Sequence, residues 1–193
     1  MSTPSPTTTQ DRPLRADARR NRELIVAAAR RLVAEHGTET QIADVAAEAG
    51  VGVGTVYRHF PTKDALMAEL MRECMRENAQ IARNAGRLDD PWEAFASLVR
   101  NGCASMADDA AKRRMWTVAS AEAMAMAADA RAEMEAATQA VVDRARQAKA
   151  LRRDFTIADV PGLFCGLGAV IDQPGAGDWR RMVEFALDGL RAR

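Results

Sequence analysis

The sequence predicts an all-α protein, on three observations. From about Ala16 to the C-terminal end, apolar residues recur about every 3.6 residues. Breakers and caps (His36-Gly37, Gly50-Val51-Gly52, Pro61-Thr62, Asp90-Pro91, Pro174-Gly175-Ala176-Gly177) interrupt that pattern at helix-length intervals. No stretch alternates apolar and polar residues as a half-buried strand would. About nine helices are expected: three in a small N-terminal domain built around a helix-turn-helix, the rest in a larger C-terminal bundle.

The first helix carries Leu24, Ile25, Ala28, Leu32 and Val33 on one stripe. It stops at His36-Gly37, where glycine suits the left-handed residue that follows a helix. Thr40 is expected to cap a short helix through Ala49, with Ile42, Val45 and Ala46 inward. Gly50-Val51-Gly52 breaks the chain, and a second short helix follows over about 53–59. Pro61 stops it, and Thr62 caps a fourth helix carrying Leu66, Met67, Leu70, Met71, Cys74 and Met75 to about Asn84. Asp90, Pro91 and Glu93 supply an N-cap, an N1 proline and a capping-box acid for the helix of Phe95, Leu98, Val99 and Cys103. A short segment at 110–115 leads into an Ala-rich helix over about 117–150. Unbroken, it would be on the order of 50 Å long. Another helix opens near Thr156 or Asp159, with Pro161 blurring its start, and the last begins at Asp178.

The 193 residues carry 27 basic and 27 acidic side chains, a formal net charge of zero. Cys74, Cys103 and Cys165 are odd in number and far apart. They fit a reducing cytoplasm rather than a disulfide framework or a four-thiolate zinc site. With only His36 and His59, a His-rich metal site is not expected, and no cofactor is indicated. The start, MSTPSPTTTQDRP, lacks a secretory apolar core. The most apolar stretch, 160–171, is well short of the roughly 20 residues that span a bilayer, so no membrane association is expected. Residues 1–15 read as a flexible tail, 16–62 as the helix-turn-helix domain and 63–193 as the larger domain. Charge is unevenly spread. Arg12, Arg15, Arg19, Arg20 and Arg22 face only Asp11 and Asp17 near the start, whereas Glu122, Asp129, Glu133 and Glu135 outnumber Arg131.

Two short helices about Gly50-Val51-Gly52, flanked by longer ones, form a unit whose second helix can enter a DNA major groove. On pattern alone such a pair can also be a packing turn. The run IADVAAEAGVGVG (42–54) followed by TVYRHFPTKDAL (55–66) resembles the N-terminal domain of the tetracycline-repressor (TetR) family of bacterial transcription regulators, over about 20–66. The runs CGLGAV (165–170) and DWRRMVEFALDGL (178–190) are similar to the C-terminal end of actinobacterial-type members. The resemblance implies a homodimer, a double-stranded operator with two-fold symmetry, and a small-molecule site in the larger domain.

It also implies that Tyr57, His59 and Lys63 touch phosphates. An anion beside Lys63 would relieve its ammonium of facing a positive helix N-terminus. Thr55 and Arg58 are the expected base readers. Threonine offers a hydroxyl and a methyl, and arginine can grip guanine O6 and N7 together, although Arg58 also suits a phosphate. Gly52, Val53 and Gly54 open the recognition helix without a polar side chain. They allow close backbone approach to a phosphate, with Val53 set against a thymine methyl, so DNA shape is expected to carry part of the specificity. Thr40 completes the DNA-binding set, and Phe60 is expected in the core. The N-terminal arginines either add phosphate or minor-groove contacts or form a solvated run.

In the larger domain, Met67, Met71, Met75, Met106, Met115, Met124, Met126 and Met134 are spread over four helices, as core packing or as an adaptable pocket. A pocket lined by Phe95, Val99, Met115, Trp116 and Met134, with Ser120 or Glu122 as polar handle, would take a flat, mostly apolar ligand. The dimer is expected from the last two helices. Trp179, Met182, Val183, Ala186, Leu187 and Leu190 form a stripe widened by Phe185. Phe164 and the small residues Gly162, Gly166, Gly168 and Ala169 lie on the preceding helix. Ligand binding would move the fourth helix, change the separation of the recognition helices and release the operator. Two other readings stay open. One is a helical protein-interaction module without DNA binding. The other is an all-α enzyme using Glu122 or Asp129, although no Ser/His/acid set, metal spacing or phosphate loop supports it.

Overall fold

The computed structural model describes residues 11–173 and 177–192. Residues 1–10 of the expected tail, and Pro174, Gly175 and Ala176 of the last breaker run, lie outside them. Among the described residues there are ten α-helices and no strand. The helices are α1 (Asp11–His36), α2 (Ile42–Ala49), α3 (Val53–His59), α4 (Lys63–Ala85), α5 (Pro91–Asp108), α6 (Ala110–Val118), α7 (Ala121–Met126), α8 (Ala128–Gln147), α9 (Val160–Asp172) and α10 (Trp179–Leu190). Helix α1 starts at Asp11, ahead of the first apolar repeat.

Most ends form for the reasons the residues suggest. Gly37 (φ 56°) closes α1 and Gly50 (φ 66°) closes α2, both in the left-handed region. A Cβ at Gly50 would meet no atom within 4 Å, so backbone angle rather than space calls for glycine there. Thr62 accepts from the Ala65 amide at 3.0 Å, and Asp90 accepts from the Glu93 amide at 2.8 Å with Pro91 in the first turn. Thr156 and Asp159 form a reciprocal capping box around a 3₁₀ turn, Ile157–Asp159, that runs directly into α9.

Two expectations are corrected. Thr40 does not cap α2. Its hydroxyl donates to the Gly37 carbonyl at 2.9 Å, closing the turn between α1 and α2, and the N-cap position is Gln41. The short segment expected at 110–115 and the single Ala-rich helix expected over 117–150 are together three helices, α6, α7 and α8, which raises the total from nine to ten. Ala119 is extended, Ser120 caps α7 by accepting from the Ala123 amide at 3.0 Å, and Ala127 leaves helical geometry again. Ser120 also donates to the Asp64 carboxylate in the first turn of α4, and the Arg72 guanidinium donates to the Met126 carbonyl at the second break. Alanine favours helix equally in all directions, so these contacts with α4 set the direction of each piece.

The apolar core forms two clusters that meet along α4. One joins α1, α2 and α3 to the first half of α4, from Leu66 to Met75, and takes in Met115, Ala123, Ala127 and Ala130. The other joins Ala82 and Ala85 to α5, α8, α9 and α10 around Trp92, Phe95, Phe155 and Leu187. Helix α4 is therefore shared by both.

Candidate nucleic-acid interface

Helix α3 is held by Val56, fully buried, and by Phe60, which follows its last turn at 4% exposure. At 100° per residue, that anchor leaves Val53, Gly54, Tyr57 and Arg58 on the outer face. All four are exposed, Val53 by 43% and Tyr57 by 47%. Thr55 and His59 flank this face and are half-buried. Gly52 precedes the helix, and a Cβ on Gly52 or Gly54 would meet nothing within 4 Å. Packing therefore does not require either glycine. Arg58 and His59 lie in the last turn, where cations complement the helix dipole. Lys63, half-buried, opens α4 just beyond.

His59 is unusual. Its Nε2 is buried with no hydrogen-bond partner among the described residues. Burial, and then the positive charges of Arg58 and Arg22, hold its pKa below the usual 6.5. Arg22 lies over the Phe60 ring at 5.2 Å and pairs with Glu69 at 2.8 Å, tying α1 to the segment that follows the recognition helix. Thr40 is not on this surface. It is 4% exposed, with its hydroxyl engaged internally.

The residues expected to line one ligand pocket are not brought together. Phe95 and Val99 are buried in the C-terminal cluster, whereas Met115 is buried in the N-terminal one and Met134 packs against its edge. Trp116 is 37% exposed, Glu122 is exposed, and Ser120 is engaged in capping. The cavity beside Met115 is lined mainly by Arg30, Glu73, Cys74 and Lys112 and holds only ≈ 10 Å³, about one water. Periodicity identifies the apolar face of each helix but not which face lies opposite.

The expected dimer stripe divides between buried and more exposed positions. Val183 and Leu187 are each 1% exposed, buried within the protomer, and Trp179, Met182, Ala186 and Leu190 pack partly against the same cluster. Phe164 sits over Gly102 of α5, where an added Cβ would lie 2.5 Å from its ring, and Gly168 faces Met106. These residues form the inward faces of α9 and α10. Phe185, 54% exposed beneath the Arg181 guanidinium at 5.1 Å, and the exposed Gly162, Cys165, Gly166 and Ala169 face outward.

Sequence reasoning missed the polar connections between the halves. Arg30 of α1 bonds Asp109 at 2.9 and 3.0 Å and approaches Glu77 at 3.5 Å and Glu73 at 3.8 Å. Helix α6 carries Lys112, Arg113 and Arg114 in sequence. Lys112 reaches Glu77 of α4, Arg113 reaches Asp172 of α9, and Arg114 donates to the Ala34 carbonyl of α1. The run itself was a usable signal, because three consecutive helical side chains point about 100° apart and can be satisfied only by neighbours on three sides. Burial raises the Cys74 thiol to about 11 and the Cys103 thiol to about 12, so neither is a thiolate nucleophile at neutral pH.

A helix-turn-helix with an exposed second helix, joined through a shared helix to an all-α bundle, defines a DNA-binding regulator of the two-domain type. Comparison with known proteins agrees. Residues 25–70 match the family model described as bacterial regulatory proteins, tetR family. Residues 90–192, just over half of the chain, match that of the transcriptional regulator SbtR-like C-terminal domain. The chain is 30% identical to a TetR transcription regulatory protein from Mycobacterium vanbaalenii, covering 93% of this chain and 100% of that one with a TM-score of 0.62. It is 28% identical to a TetR transcriptional regulator from Streptomyces coelicolor, covering 89% and 98% with a TM-score of 0.59. It is 36% identical over 81 residues to the HTH-type transcriptional regulator BetI of Brucella anthropi; the match spans 42% of this chain and 42% of that relative's length. The chain belongs to the TetR family of transcriptional regulators.

Proposed function

We propose that the protein is a repressor that binds a palindromic operator as a homodimer and releases it on binding a small, mostly apolar ligand. The observation that carries this reading is the outer face of α3. Val53, Gly54, Tyr57 and Arg58 are presented together by a helix too short to stand without its anchors Val56 and Phe60. Residues 16–62 form the DNA-binding part. Arg58 and Thr55 read bases, Val53 meets a thymine methyl, and Tyr57, His59, Lys63 and the backbone at Gly52 and Gly54 hold phosphates. Residues 63–193 bind the ligand and the second subunit, the latter through the outward faces of α9 and α10. The protein acts in the cytoplasm, without catalysis. No helix among the described residues is long and apolar enough to cross a membrane.

The ligand site best supported is the methionine-rich seam within the N-terminal cluster, around Met71, Met75, Met115, Met124 and Met134. Flexible thioether side chains can open such a seam where stiffer residues would not. Ligand entry there would disturb α6 and α7, and with them the Ser120 contact to Asp64 and the Arg114 contact to Ala34. A coupling of about 1–3 kcal/mol would lower operator affinity about 5–150-fold.

Selection of genomic fragments bound by the purified protein, followed by footprinting, tests the DNA reading. The expected result is a two-fold symmetric protected site. Failure to retain any duplex at low salt overturns it. Gel-shift titration with a ligand panel tests the switch, which fails if a ligand that binds the protein leaves operator affinity unchanged.

A further inference from the structure

A dimer that reads two half-sites must hold its recognition helices at a fixed separation, so the geometry between α9 and α3 inside each protomer matters. Among the described residues two routes join α9 to the N-terminal helices. The first runs through the apolar core, from α9 to α5 and on to α4. The first half of α4, which packs with α1, is lined by Met67, Met71 and Met75. Thioether side chains repack readily and apolar contact has no preferred direction, so this route leaves the angle between its ends loosely specified. The second route is polar and passes through α6.

Its first link is Arg113 to Asp172. The guanidinium meets the Asp172 carboxylate at 2.5 Å and also donates to the Met106 carbonyl in the last turn of α5. The Arg113 side chain is only 15% exposed, so these partners take the place of water. Asp172 is the last residue of α9, where a cation rather than an anion complements the helix dipole, and that turn contains no basic residue. A carboxylate there is at odds with its own helix and is satisfied from α6. The second link runs from α6 to α1. Arg114 donates to the Ala34 carbonyl near the end of α1, and Asp109, which caps α6, holds Arg30 at 2.9 Å. Helix α1 shares its buried face with α2 and α3. Hydrogen bonds and ion pairs are short and directional, so the path from α9 through α6 to α1 sets an angle that the methionine-lined path does not.

We propose that the Arg113–Asp172 pair is a positioning device that selects the half-site spacing of the operator. The proposal rests on the reading of the protein as a dimeric operator-binding regulator and adds to it what chooses the spacing. One extra base pair moves a half-site by about 3.4 Å and turns it by about 35°. A protomer with a fixed angle between α9 and α3 accepts one spacing, whereas a protomer with a loose angle also accepts its neighbours.

The test compares wild type, D172N and D172E on the operator selected by the wild type, and on the same operator with one base pair added or removed at its centre. Asparagine removes the charge and keeps the shape, and glutamate keeps the charge. Asp172 is half exposed, and pairs of that kind contribute little to global stability, so thermal melts and sedimentation of the variants should match wild type. In D172N the preference for the selected spacing should narrow about two- to fivefold for each of the two pairs in the dimer, and D172E should restore it. A dimeric D172N variant with the wild-type spacing preference overturns the proposal and leaves the DNA-binding reading intact. A narrowing that D172E fails to reverse overturns it too, as does an equal loss of affinity for all three operators, because the pair would then support the fold rather than the spacing. A D172N variant that sediments as a monomer also overturns it, since Asp172 would then belong to the subunit contact. Wild-type protein that binds no duplex, or that sediments as a monomer, overturns the regulator reading together with this inference.

Discussion

His59 sits at the end of α3 with Nε2 buried and unpartnered among the described residues, in a field made positive by Arg58 and Arg22. Its depressed pKa means that the folded protein prefers the neutral ring. The stability this contributes is present above the unfolded value of 6.5 and is lost as pH falls below it towards the folded pKa. A phosphate beside the imidazole would reverse the preference in the complex, since a proton on the ring would face an anion. Operator affinity should therefore rise as pH is lowered from neutral to below 6.5, and this rise should be absent in His59→Gln. Paired titrations of the two proteins check it, because other groups that titrate are common to both. Arg58 and Lys63 divide differently. Arg58→Ala should flatten base preference at one operator position, costing about 1–3 kcal/mol there, whereas Lys63→Ala should weaken all sequences alike and lower the salt slope by about 0.9 per site. Titration against a randomised operator library separates them, and an Arg58 variant with unchanged preference would not be a reader.

Between elements, α5 and α9 approach closely at one glycine. Gly102 leaves the notch that the Phe164 ring fills, and an added Cβ would lie 2.5 Å from Cε1 and 2.8 Å from Cζ. Neither distance is tolerable, so the ring or the helix must move. Gly102→Ala should cost about 1–3 kcal/mol despite its favourable helix propensity, and Phe164→Leu in the same chain should recover part of it. Urea denaturation of the single and double variants measures both. The neighbouring face is tied by charge. Arg100 of α5 grips Glu184 of α10 through two hydrogen bonds at 2.7 and 2.8 Å, which holds the Glu184 carboxyl below its usual pKa. These contacts position α9 and α10 so that Phe185 and the small residues of α9 point outward.

At the scale of the whole molecule, the charged contacts of Arg30 and α6 make the two clusters one body through α4. Arg30 draws Asp109, Glu77 and Glu73 together, and burial pushes the Glu73 carboxyl above its usual pKa despite that guanidinium. A change at α6 cannot stay local in such an arrangement. The outward Phe185 is a large apolar group with no full cover in the protomer, and a second copy would supply one. Phe185→Glu should convert a dimer to a monomer in sedimentation at micromolar concentration. Loss of operator affinity should accompany it, because a lone subunit engages a single half-site. Wild-type protein that sediments as a monomer would remove the dimer from the reading.

Local chemistry alone determined most element boundaries, since caps, prolines and glycines act within a few residues. Thr62, Asp90 and Gly50 behave as their types dictate, and the outer face of α3 was legible because Val56 and Phe60 are the only residues there that must be buried. The tertiary structure decided what depends on non-local partners. Alanine-rich chain has no preferred break, so Asp64 and Arg72 of α4 determine where 117–150 divides. An apolar stripe does not say whether its cover is its own core or a second subunit, so Val183 and Phe164 turned inward and Phe185 outward. Phe95 and Met115, both plausible pocket walls by composition, lie in separate clusters because only packing across helices decides which faces meet.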